Sequence, residues 1–131
     1  MIVLETAATN LIYLTCTEKS ELASPIYLIR FINDTGKNET SCIVADTSSY
    51  TYRYNKFSIV EKAISPDRTA GEVTLSPYGY WRYEVYEQTS TTNLDYTLAS
   101  KLVELGKCHV IGESTSWSAY NSQPTTFKVY E

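Results

Sequence analysis

One histidine, three cysteines and scattered carboxylates are the side chains of this chain best suited to acid–base, nucleophilic or metal chemistry. His109 lies between Cys108 and Val110, with no acid beside it and no second histidine anywhere. A dyad of Cys16 or Cys42 with His109 would have to assemble in space. No local nucleophile signature surrounds either thiol. Cys16, Cys42 and Cys108 are widely spaced and odd in number, so they read as small buried hydrophobes, with one disulfide as the alternative. Glu84 and Glu87 stand three apart in a strand-like run and so point to opposite faces. Asp34, Glu39 and Asp46 flank one hairpin loop and could offer oxygens to calcium. The twelve-residue calcium-loop pattern is absent, which favours a solvated loop. Phosphate-binding glycine loops, zinc spacings and nucleophile elbows are missing as well. Asn33-Asp34-Thr35 and Asn38-Glu39-Thr40 match the glycosylation acceptor pattern and read as accidents of a polar turn. The chain is therefore expected to hold no catalytic, cofactor-binding or metal-binding residue, to use no cofactor and to take no small-molecule substrate.

What must position these side chains is a set of short strands. Val, Ile, Thr, Tyr, Phe and Trp dominate the composition, and such side chains fit a pleated, half-buried surface. At 131 residues the chain has the length of one domain, spanning 1–131, with enough core to need no staple. Strands are expected at residues 10–17, 26–32, 41–47, 52–61, 72–76, 80–88 and 126–130. Residues 101–110 read as two further short strands joined through Leu105-Gly106. The segment 80–88 alternates most clearly: Trp81, Tyr83 and Val85 on one face, Arg82 and Glu84 on the other. Polar turns such as Asn33-Asp34-Thr35-Gly36 separate the strands. The expected fold is all-β, an antiparallel sandwich of immunoglobulin-like or jelly-roll-like type, with eight to nine strands and little or no helix.

Charge and termini narrow the partners. A net charge of −4 with scattered Lys and Arg argues against nucleic acid. The N-terminus lacks the basic and apolar regions of a signal peptide, and no apolar run is long enough to span a bilayer. Synthesis in a cytoplasm, with assembly into something larger, is the expectation.

Tyrosine is over-used, with 12 copies against 3 Phe and 2 Trp. Its ring is apolar and its tip polar, so it serves half-buried sites and contact surfaces. Tyr50, Tyr52, Tyr54 and Tyr80 lie in or beside strands with polar neighbours. Trp117 and Tyr120 sit in a polar segment ahead of the last strand. Candidate assembly residues are Ile2, Val3 and Leu4 at the N-terminus, Trp117, Tyr120, and Tyr130 in the final strand. Both terminal segments could add strands to a neighbour.

The stretch Pro77-Tyr78-Gly79-Tyr80-Trp81-Arg82-Tyr83-Glu84-Val85-Tyr86-Glu87-Gln88, with 102–107 (Leu-Val-Glu-Leu-Gly-Lys) and 27–34 (Tyr-Leu-Ile-Arg-Phe-Ile-Asn-Asp), resembles small β-sandwich virion proteins of tailed bacteriophages. The likeness is to phages of Bacteroidetes, including the crAss-like group. It covers about two-thirds of the chain and rests on strand patterns, so it carries over no site residues. It implies a virion structural protein of a head–tail connector, tail or capsid decoration, present in symmetric copies. Its partners would be other virion proteins and copies of itself, with no nucleic acid and no membrane. The competing expectation is a carbohydrate- or host-protein-binding sandwich, using Trp81, Trp117 or Tyr120 as stacking platforms.

Overall fold

The computed structural model describes residues 1–35, 37–76 and 78–112. The expected strand at 126–130 and the residues Trp117, Tyr120 and Tyr130 lie outside them. Eight strands form among the described residues: β1 (Ile2–Glu5), β2 (Thr9–Leu14), β3 (Ile26–Asn33), β4 (Glu39–Val44), β5 (Asn55–Glu61), β6 (Glu72–Val73), β7 (Gly79–Gln88) and β8 (Lys101–Ile111). Three short 3-10 turns, Thr17–Lys19, Arg68–Ala70 and Tyr96–Leu98, are the helical segments among these residues. No helix among them is long and apolar enough to cross a membrane.

The strands make a two-sheet β-sandwich, one sheet ordered β1-β8-β7-β3-β4 and the other β2-β5-β6. The run β8-β7-β3-β4 follows the G-F-C-C′ order of a variable-type immunoglobulin sheet. Alternation decides which side chains enter the core. Ile29, Phe31, Trp81, Tyr83 and Val85 from the larger sheet meet Ile12, Phe57 and Ile59 from the smaller one. The three thiols are free and buried in the same interior.

The strands expected at 10–17, 41–47 and 72–76 end early, at Leu14, Val44 and Val73, and four larger expectations change. Pairing is not wholly antiparallel: β1 runs parallel to β8, and β6 parallel to β5. Residues 2–5 are a strand of the chain's own sheet, and Leu4 is fully buried in the core. The Leu4 side chain thus lies inside the domain, which removes it as a contact residue. Residues 52–54 precede β5 instead of starting it. The fourth change is in residues 101–111, which form one continuous strand.

The last change has a steric cause. Gly106 pairs with Tyr83 across the β7–β8 ladder. A methyl group at Gly106 would fall 2.7 Å from the Tyr83 hydroxyl oxygen. The glycine makes room for a ring lying across the strand, not for a turn. The ladder shifts register between Val85 and Tyr86. Such an irregularity inserts an extra residue, here Val103, whose side chain enters the core.

Candidate functional site

Any catalysis would draw on the buried polar groups of the sandwich. Asn55 is fully buried. Its Oδ1 accepts from the backbone N–H of Cys16 at 2.7 Å and of Thr17 at 3.1 Å. Its Nδ2 donates to Thr17 Oγ1 and to Asp46 Oδ2. Glu61 accepts from the N–H groups of Ala7 and Leu75, one on each carboxylate oxygen. The first of these bonds holds the β1–β2 corner, where Ala7 takes a left-handed φ of 55°. Glu87 accepts from the N–H of Glu21 at 3.0 and 3.1 Å and more weakly from Leu22. These groups staple loops to strands, and among the described residues no buried side-chain polar atom lacks a partner. Each of these buried carboxylates is thus committed to backbone N–H donors on both of its oxygens.

The thiols and the imidazole are separated. Burial pushes Cys16, Cys42 and Cys108 up to about 12, with Glu104 adding to the effect at Cys16. Such thiols stay protonated at neutral pH and are inert as nucleophiles. His109 instead points out of the larger sheet, its ring stacked on Tyr80 at 4.5 Å between centroids. The carboxylates around the β3–β4 hairpin do not converge either. Asp34 pairs with Lys107, Glu39 with Arg30, and Asp46 with Asn55 and two backbone N–H groups. No cluster suited to a metal ion occurs among the described residues.

Arg30 anchors an ion network on the outside of the larger sheet. It pairs with Glu39 and, at 2.9 Å, with Glu84. Tyr86 donates to the same Glu84 oxygen at 2.8 Å, and the Tyr96 ring lies 3.9 Å from the Arg30 guanidinium carbon. Burial would lower the Arg30 pKa, but the hydrogen bonds to Glu39 and Glu84 override it and raise the value. Tyr86 is pushed up to about 12 by burial and by Glu84, so its proton stays in place. A cleft of about 550 Å³ opens beside the network between residues 92–96 and Arg68. The network on its wall, with Arg30 held between Glu39 and Glu84 and against the Tyr96 ring, fixes the side chains in place.

The tyrosines of the smaller sheet are arranged differently. The register of β2 against β5 puts Leu11 and Tyr13 on the outer face beside Ser58 and Lys56. Tyr54, just before β5, meets the Tyr13 ring edge-on at 5.8 Å, and Tyr50 approaches Tyr54 at 6.5 Å. Tyr13, Tyr50 and Tyr52 remain 57%, 51% and 78% exposed. The turn that carries Tyr50 and Tyr52 is fixed by backbone bonds from Arg53 and Tyr54 back to the Tyr50 carbonyl. Large rings clustered together and left in water are the usual mark of a surface that meets a partner.

The sequence singled out Tyr50, Tyr52, Tyr54 and Tyr80 for their polar neighbours, with sandwich-edge packing as the first reading, and gave no sign of Tyr13, which joins the first three only through strand pairing. Of the other candidates, Val3 points outward, Ile2 packs partly against the core, and Trp81 is buried. That burial removes Trp81 as a stacking platform.

No protein-family model matches this chain, and no curated protein does. A solved structure of a "putative glycoside hydrolase" from Bacteroides vulgatus ATCC 8482 is similar at 12% identity, with a TM-score of 0.46. The likeness covers 87% of this chain but 17% of that one. At that identity and score it carries neither activity nor site to this chain.

Proposed function

We propose that this chain is a non-enzymatic structural subunit that works in several copies through protein–protein contacts. The resemblance of its strand segments suggests a bacteriophage virion as the setting, in a head–tail connector, tail or capsid decoration. One observation supports the contact role above the others: a tyrosine cluster stands exposed on a sandwich in which, among the described residues, every buried side-chain polar atom has a partner. Tyrosine offers large contact area at low entropic cost. The test is quantitative mass spectrometry of purified particles after a high-salt wash. A fixed, symmetric copy number supports the reading; absence from particles, with abundant free protein, refutes it.

The second reading is a carbohydrate-binding or host-protein-binding module on the same face, favoured by the exposure of the Tyr52 ring. Sugar rings stack on exposed aromatic faces. A saturable change in tyrosine fluorescence on a glycan panel, lost in Tyr52→Ala, would support it. A flat response across the panel would remove the carbohydrate form.

A further inference from the structure

We infer that the partner of the tyrosine face is a second copy of this chain, bound head-to-tail through its β1 face. This rests on the structural reading proposed above and names the contact. The tyrosine face belongs to an acidic chain of net charge −4, yet it carries Arg53 and Lys56 on either side of Tyr54. Neither cation has an ion-pair partner among the described residues, a state they share with Lys37, Arg68 and Arg82, but only these two stand beside the exposed tyrosine rings. A partner should therefore bring apolar surface together with an unpaired carboxylate.

The chain itself holds such a surface. Among the described residues, Glu5 and Glu18 are the carboxylates with no side-chain hydrogen bond or ion pair. Glu18 borders the same small depression as Tyr52 and Arg53, so it lies on the tyrosine side and cannot be the complement. Glu5 lies on the edge strand β1 and points outward, because Leu4 beside it enters the core. It pairs across the ladder with Ile111, and Val3 follows on the same face. Val3 and Ile111 are 49% and 41% exposed and flank Glu5, with His109 beside Val3 on the same face.

The two surfaces belong to different sheets. Tyr13 and Tyr54 face out of the smaller sheet, Val3 and Glu5 out of the larger one. They are therefore on opposite sides of the sandwich and cannot meet within one molecule. A contact between unlike surfaces of identical chains is heterologous: it propagates, closing into a ring where the rotation allows. That is the geometry of a symmetric multi-copy assembly.

Charge reversal tests this on the full chain by sedimentation velocity. Arg53→Glu sets two acids against each other in the contact, and Glu5→Lys sets two cations against each other. Each variant alone should self-associate about tenfold more weakly than the parent. Mixed in equal amounts they should co-assemble. The glutamate introduced in one variant then meets the lysine introduced in the other, and the retained Arg53 meets the retained Glu5. Both positions are exposed, and matching thermal midpoints establish that the variants fold. A parent monomeric at every concentration overturns the inference, as does a mixture that gains nothing. Presence in particles under either of those outcomes would leave the structural reading standing with a different partner.

Discussion

The interior of the sandwich and the outer face of its smaller sheet use polar side chains in opposite ways. Inside, Asn55, Glu61 and Glu87 each accept two or more backbone N–H groups, and each ties a loop to a strand. Outside, Tyr13, Tyr50 and Tyr52 leave large rings in water, and Arg53 and Lys56 stand beside them without an ion pair among the described residues. The first region is complete without a partner and the second is not. Polar residues that would suggest catalysis in a sequence are here structural, and aromatic residues that would suggest a core are the unused surface.

Breaking the interior should cost stability and leave contact chemistry untouched. Trp81→Ala deletes the largest buried side chain. It should cost about 3–5 kcal/mol in urea unfolding. A loss below about 1 kcal/mol would mean that the core closes around the gap, which would weaken the picture of a tightly filled interior. Glu87→Ala strands the N–H groups of Glu21 and Leu22 and should cost about 1–3 kcal/mol. Hydrogen exchange should quicken first at Glu21, because that amide loses its acceptor. Gly106→Ala forces a methyl group into the Tyr83 ring and should cost about 1–3 kcal/mol. Adding Tyr83→Val should recover part of the loss, and a strictly additive double variant would contradict the steric account.

The thiols sharpen the contrast through pH. A pKa raised by folding means that the native state holds its proton more tightly than the unfolded chain does. Stability from these groups is then complete below the unfolded value of 9.0 and is lost as pH rises toward about 12. Urea midpoints should fall steadily across that window, and Cys42→Ala should flatten the fall while lowering stability at neutral pH. An unchanged slope in that variant would show that the fall comes from other groups. The smallest stability effect is expected on the exposed face. Tyr52→Ala should move stability by no more than about 0.5 kcal/mol, while it weakens self-association.

Much of this architecture was legible in the residues themselves. The alternation of Trp81, Tyr83 and Val85 set the inward face of β7, because period two leaves no other reading. The free, buried state of the cysteines followed from their surroundings. What escaped is non-local. β1 finds its parallel partner far along the chain, at Cys108 to Ile111, and no local pattern encodes that pairing. Gly106 read as a break because its true neighbour, the Tyr83 ring, lies on another strand. The role of Glu87 is non-local in the same way, since its partners sit at Glu21 and Leu22. The tyrosine face was half visible: Tyr50, Tyr52 and Tyr54 are close in the chain, but Tyr13 arrives through the β2–β5 register.

Tyrosine nitration read by mass spectrometry, on dilute monomer and on the assembled protein, tests the central claim most directly. Tyr27 and Tyr83 are buried and should resist modification in both states. Tyr13, Tyr50 and Tyr52 should react in the monomer and become protected on assembly. Equal reactivity of those three in both states would contradict the assignment of the tyrosine face as the contact surface.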